Sequence, residues 1–199
     1  MYVIETRYFK DEHIDTVLCI DSTQVFIQKR DENDAILEEW FIPFIKMNDL
    51  ETNFKISEKF LKFIKKSSFI IVYKNFFETQ HVRINFNQEE FLCWDTFTDQ
   101  KPTCILEIPK LEHDMIGDED HIIFSIEDNK LFMCIEKNTT FIFEPVKIFC
   151  EGTVNMFGYY IKEVFEKHTG KVCKLYVQKD NPLCLEFCDG YRIFIAPAL

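Results

Sequence analysis

The chain has 199 residues, 47% of them hydrophobic and 29% charged, with a formal net charge of −11. That much apolar material builds one large core or two small ones and argues against disorder. No stretch reaches the ~18 uninterrupted apolar residues of a membrane span, and the opening MYVIETRYFK lacks the features of a signal peptide, so a soluble intracellular protein is expected.

In chain order, residues 15–28 read as two short β-rich runs around the turn-forming Asp21-Ser22-Thr23, a hairpin. A strand follows at 36–43. Next comes FKISEKFLKFIKKSS at 54–68, where Ile56, Phe60, Phe63 and Ile64 recur at helical spacing and Ser57 is placed to cap the helix. Strands are expected at 69–73 and 81–86. Residues 91–103, FLCWDTFTDQKPT, turn polar towards a proline and make the candidate linker. The same order then returns. A hairpin at 120–135 turns on Glu127-Asp128-Asn129, a strand lies at 146–152, and a helix spans 155–170 with Phe157, Ile161, Val164 and Phe165 on one face. Gly170 is its expected stop, and strands at 171–178, 183–187 and 191–196 close the chain. Recurrence at an offset of roughly a hundred residues predicts two copies of one unit. The expected fold is α+β, with two antiparallel sheet-plus-helix domains, 1–98 and 103–199, joined by a connector at 99–102.

A net charge of −11, taken alone, argues against nucleic acid, because phosphates are met by Lys and Arg; what matters is whether the 23 basic residues are gathered on one surface. On a helical wheel of about 100° per residue, Lys55, Lys59, Lys62 and Lys66 fall within an arc of roughly 60°, opposite the apolar face. With Lys65 the segment carries five lysines against one acid, Glu58. A stripe of this kind suits a surface tracking a phosphate backbone without reading bases, although lysines also serve as ordinary solvated helix residues. The second helix mixes signs through Lys162, Glu163, Glu166 and Lys167, as a plain solvated face does.

Catalytic signals are sparse. The five glycines form no Gly-rich loop, and neither G-x-S-x-G nor H-E-x-x-H occurs. His113-Asp114 and Asp118-Glu119-Asp120-His121 are the one cluster with metal-ligand chemistry, yet they lack an H-x₃-H spacing and read as an acidic turn. The eight cysteines form no C-x-x-C pair and mostly sit in apolar runs, so they read as reduced core residues. Cys184 and Cys188 share a strand face without a histidine to complete a zinc site. Cys150 and Cys173, near His168, lie in strand-like runs where buried thiols are inert. No enzyme activity, cofactor or metal is expected.

The closing stretch KLYVQKDNPLCLEFCDGYRIFIAPAL, with Asp180-x-Pro182-Leu183, Glu186 beside Phe187, and Ala196-Pro197, resembles the end of the DNA sliding clamps, the family of proliferating cell nuclear antigen and its checkpoint relatives. Glu144-Pro145-Val146, Lys162 after Tyr159-Tyr160, and Lys59-x-Leu61-Lys62 are similar to that family in the same order. The resemblance implies a nuclear, non-catalytic subunit of a ring trimer, homomeric or heteromeric. Such a ring encloses double-stranded DNA without sequence specificity and tethers replication or repair enzymes bearing aromatic peptide motifs. By resemblance, Lys55, Lys59, Lys62, Lys66 and Lys162 face DNA, and Phe97, Asp99, Pro102, Ala196, Pro197 and Ala198 form the peptide groove. Phe69, Ile71 and Tyr73 in the strand at 69–74 would meet Val172, Lys174 and Tyr176 in the strand at 171–178 of a neighbouring subunit. Members of the family start each domain with a further helix. Here residues 10–14 and 109–117 are too short for one, and the connector is short as well. A subunit of the heterotrimeric DNA-damage checkpoint clamp is the alternative, and a protein-interaction module without DNA is a third reading.

Overall fold

The computed structural model describes residues 1–87, 101–111, 116–135 and 139–198. The chain divides into two compact units, Met1–Arg30 with Glu39–Thr96, and Asp31–Glu38 with Phe97–Leu199. Residues 99 and 100 of the expected connector lie outside the described residues. The second unit also takes in 31–38, a stretch expected in the first.

The first repeat runs β1 (Tyr2–Glu5), two 3-10 turns (Thr6–Tyr8 and Asp11–His13), β2 (Thr16–Ile20), β3 (Val25–Arg30), β4 (Ile36–Phe41), β5 (Phe44–Lys46) and β6 (Thr52–Ile56). It continues through α1 (Glu58–Ile64), β7 (Phe69–Val72), β8 (Phe76–Glu78) and β9 (Arg83–Asn85). One sheet has the order β5-β1-β7-β8-β9, and β6-β2-β3-β4 form a second ladder. The hairpin expected at 15–28 is β2–β3. Its turn is held by Asp21, whose Oδ1 accepts the Thr23 and Gln24 N–H groups at 2.6 and 2.8 Å, the local bonding that makes Asp a turn former.

The helix is shorter than the periodicity predicts. Thr52, Phe54 and Ile56 are buried while Lys55 is exposed, so 52–56 alternates with a period of two and pairs with β2 from Thr16↔Ile56 to Ile20↔Thr52. Ile56 fits either period, and the ladder to β2 decides. The helix starts one residue after Ser57, whose Oγ accepts the Phe60 N–H at 3.1 Å. It buries Phe60, Leu61 and Ile64. Phe60 stands edge-on to Phe54 and Phe77, with centroids 5.4 and 4.9 Å apart. Burying each such side chain contributes about 1.5–3 kcal/mol, which is how a helix of 7 residues persists.

The second unit runs β10 (Cys104–Glu107), β11 (His121–Glu127), β12 (Lys130–Ile135), β13 (Thr139–Phe143), β14 (Lys147–Ile148) and β15 (Gly152–Phe157). Then come α2 (Gly158–His168), β16 (Val172–Tyr176), β17 (Leu183–Phe187) and β18 (Tyr191–Ile195). The strand orders are β14-β10-β16-β17-β18 and β15-β11-β12-β13. Position by position this repeats the first unit: β10 to β18 stand where β1 to β9 stand, and α2 where α1 stands. The predicted duplication is therefore a duplication of topology. The β11–β12 hairpin turns at Asp128 and Asn129, with φ of 47° and 61°, the left-handed pair a tight hairpin requires.

Helix α2 also begins later than its periodicity predicts. Residues 152–157 belong to β15, in which Val154 and Met156 are buried and Phe157 is 36% exposed, so Phe157 leaves the helical face assigned to it. Ile161, Val164 and Phe165 keep theirs. Gly170 does end the segment, at φ 76°, a conformation costly for any residue with a Cβ, and its N–H reaches Ile108 O at 2.9 Å. Among the described residues no helix is long and apolar enough to cross a membrane.

Candidate functional site

The lysines assigned to one helical stripe are divided among a strand, the helix and the residues after it. Lys55 lies on β6 and is paired with Asp15 at 2.9 Å, a correction that follows from the strand replacing the first helical turn. Lys62 pairs with Glu58 at 2.7 Å, one helical turn away, and Lys65 reaches Asp11 at 2.8 Å. Lys59 extends over the Phe63 ring, 5.9 Å from its centroid. Lys59 and Lys66 are exposed and make no ion pair among the described residues. Exposed pairs of this kind are worth about 0–1 kcal/mol, so a phosphate can displace them. In the second unit Lys162 is half-buried and 3.8 Å from Asp118.

The chain end forms one wall of a concave surface. Ala196 N–H donates to Ala35 O at 2.8 Å, and Ala198 N–H donates to Asn155 O at 2.9 Å, so the tail runs beside β15. Pro197 and Ala198 then line a depression of about 380 Å³ with Val154, Asn155, Lys179 and Asp180. Pro102 is not in that lining, and Phe97 and Asp99 lie outside the described residues. Val154 and Asn155 escape sequence reading because the helical spacing claims 155; the alternation of Val154 and Met156 with polar neighbours is the signal for a strand.

The strands expected to meet a neighbouring subunit are corrected. β7, with Phe69 and Ile71, is bonded to β1 on one side and β8 on the other, and Tyr73 just beyond it stacks on Phe76 at 4.4 Å. β16, with Val172, Lys174 and Tyr176, lies between β10 and β17. A strand with both ladders filled has no backbone edge to offer. The side chains agree: Glu186 accepts from Lys174 Nζ at 2.7 Å and from Tyr176 OH at 2.9 Å, and pairs with Arg192 at 2.9 Å. Burial alone would raise the Glu186 carboxyl, but the Lys174 bond and the Arg192 charge hold it below its ordinary value. Burial first, then Glu186, pushes the Tyr176 hydroxyl up.

Among the described residues, β9 and β13 stand at sheet ends, as do β5, β6, β14 and β15.

The remaining sequence candidates come to little chemistry. Cys104 and Cys173 are buried, and desolvation pushes both thiols up to about 12, which keeps them protonated. His113 and Asp114 lie outside the described residues, and Asp118 to Asp120 form a turn packed on the start of α2.

No family model matches the chain, and no curated protein matches its sequence. Its structure is similar over its whole length to proliferating cellular nuclear antigen from Entamoeba histolytica, with 16% identity and a TM-score of 0.55, covering 100% of this chain and 99% of that one. The chain has the fold of a DNA sliding clamp. It is similar to A. fulgidus PCNA, solved with the C-terminal region of FEN-1 bound, at 13% identity and a TM-score of 0.56, covering 100% of this chain and 99% of that one. A chain of the PCNA2-PCNA3 complex from Sulfolobus tokodaii gives 16% identity and a TM-score of 0.53, with 99% of each chain covered. At these identities the likeness shows the clamp fold, and what those proteins bind is theirs.

Proposed function

We propose that this chain is a non-catalytic subunit of a clamp ring that encloses duplex DNA and tethers replication or repair proteins to it. The observation that carries the reading is the duplicated sheet-and-helix fold, matched over its whole length by sliding clamps, with β9 and β13 among its open sheet ends. A second chain that sets its β13 against β9 would pair two open sheet ends, and head-to-tail contacts of this type close into rings when the rotation divides the circle. Exposed Ile142 on β13, at 55%, suits a covered edge better than a solvated one. The lysines at and after α1 supply positive charge, and the depression beside Pro197 and Ala198 is the place to seek a partner segment; a clamp of this fold has been solved with the C-terminal region of FEN-1 bound.

The S. tokodaii complex contains two different clamp chains, which favours a mixed ring, including a checkpoint-type heterotrimer, as the second reading. Buried Cys104 and Cys173, present as free thiols, accord with a reducing compartment, and we place the protein in the nucleus on the clamp reading. Sedimentation of the chain, alone and with sister chains from the same source, tests the ring. Assembly is expected, and Ile142→Pro on β13 should abolish it by removing a ladder donor. A chain that remains monomeric in every mixture would show the reading to be wrong.

A further inference from the structure

Where α2 begins, aromatic rings and carboxylates wall a depression of about 400 Å³ that has no part in the clamp reading, a volume within the range of ligand sites. Its lining among the described residues is Asp118, Glu119, Phe157, Tyr159 and Tyr160. The turn that carries the acids is pressed against the helix start. Gly158 N–H donates to Asp120 O at 2.7 Å and Tyr159 N–H to Asp118 O at 3.3 Å. Gly158 permits the approach, since a Cβ there would come 2.5 Å from Gly117 O and 2.8 Å from Ile116 Cγ2.

This packing separates backbone from side chain. The carbonyls of the turn satisfy helical N–H groups that would otherwise need a cap, so the carboxylates are not used for capping. Asp120 turns back to accept the Gly117 N–H at 2.5 Å. Asp118 keeps only a long pair to Lys162, 3.8 Å away, and Glu119 has no hydrogen bond or ion pair among the described residues. Tyr159 and Tyr160 stand nearly perpendicular, with ring centroids 5.3 Å apart and planes at 79°, so they form a corner. Phe157 and Tyr159 are 36% and 49% exposed. Single exposed rings need no explanation, but rings gathered around a concavity are a feature of binding surfaces.

The charge decides the occupant. Aromatic faces carry negative electrostatic potential, and two carboxylates beside them add to it, so the cavity repels anions and favours a cation that sheds water readily. We propose that this cavity binds an arginine side chain of a partner protein, with the guanidinium lying on the tyrosine corner and donating to the carboxylates of Glu119 and Asp118. A guanidinium is flat and weakly hydrated, and can stack and donate two parallel N–H groups to one carboxylate at the same time. A lysine ammonium is a strongly hydrated point charge that gains less from the same walls. The proposal does not rest on ring closure or on DNA, so its failure leaves the clamp reading untouched.

The test is a titration of the intact, isotopically labelled chain with a blocked Gly-Arg-Gly peptide, followed by amide chemical shifts, with citrulline and lysine peptides as controls. Saturable shifts confined to residues 116–121 and 157–162 are expected for arginine, about tenfold weaker binding for lysine, and none for citrulline. Asp118→Asn with Glu119→Gln, and separately Tyr159→Ala, should each weaken the arginine peptide by about tenfold or more while leaving the rest of the spectrum in place. The proposal is overturned if the arginine peptide gives no saturable shifts, if citrulline or lysine binds as well, or if the shifts spread over the acidic surface and survive in the carboxylate variant.

Discussion

Helices α1 and α2 occupy the same place in two units of identical strand order, yet their surfaces and their starts differ. The first has 7 residues and begins at a serine that caps its own N–H groups; the second has 11 and no side-chain cap. Carbonyls of the Asp118–Asp120 turn take that role for α2. The exposed side of α1 is mostly lysine, whereas α2 mixes lysine and glutamate. The buried sides are alike, with Phe60, Leu61 and Ile64 in one and Ile161, Val164 and Phe165 in the other. The two units keep the same topology with matching buried sides, so the outward chemistry of a duplicated unit is free to diverge.

Substitution should tell most where the two helices are alike, in the cores. Phe60→Ala should cost about 3–5 kcal/mol, as should Phe165→Ala, because each leaves a cavity where an aromatic ring was packed. Hydrogen exchange reads which unit loosens: Phe60→Ala should expose the amides of β6 and β7, and Phe165→Ala those of β11 and β15. If both variants loosen both units equally, the two cores are one cooperative unit.

Charge reversal separates the outward faces. Lys59, Lys62 and Lys66 changed together to Glu should weaken duplex DNA binding and make the slope of log affinity against log salt shallower by about 0.9 for each phosphate no longer neutralised. Lys162→Glu should have a smaller effect, because Lys162 is half-buried beside Asp118. Binding unchanged at every salt concentration in the triple variant would reduce α1 to a solvated face.

Each unit also buries a histidine. His168 lies against Phe187 and Tyr191, with Lys171 Nζ 3.0 Å from its Nδ1, and burial together with the Lys171 and Lys167 charges lowers its pKa to about 4. His13 packs on Trp40 and is lowered chiefly by burial. In the unfolded chain a histidine titrates near 6.5. Between about pH 6.5 and 4 the unfolded state therefore binds more protons, and stability falls as the pH is lowered through that window. Thermal melts should show this decline, and His168→Phe should flatten it more than His13→Phe. A decline of the same steepness in both variants would assign it to other groups.

The smallest effect is at the cap. Ser57→Ala should cost about 1 kcal/mol, while Phe157→Ala, at the corresponding position of α2, removes no side-chain cap and should leave the helix start intact. Equal loss of helix protection in the two variants would mean that the caps are not the distinction drawn from the bonds.

Turn and cap chemistry acts within a few residues, so the hairpins at 15–28 and 120–135, the Ser57 cap and the stop at Gly170 are legible in the sequence, and their recurrence is enough to reveal the duplication. Whatever depends on a distant partner is not. Residues 52–56 and 152–157 carry apolar positions that suit a strand or a helix, and the choice falls to β2 and β11, which offer ladders to them. Whether β7 and β16 are edges is likewise a matter of which strands come to lie beside them. The helical placement expected of Lys55 fails for the first reason, and the free backbone edges expected of the strands that carry Phe69, Ile71 and Tyr73 and Val172, Lys174 and Tyr176 fail for the second. The cavity at α2 belongs to the same class, because Asp118 and Tyr159 stand 41 residues apart in the chain and meet only where Gly158, lacking a Cβ, lets the acidic turn close on the helix.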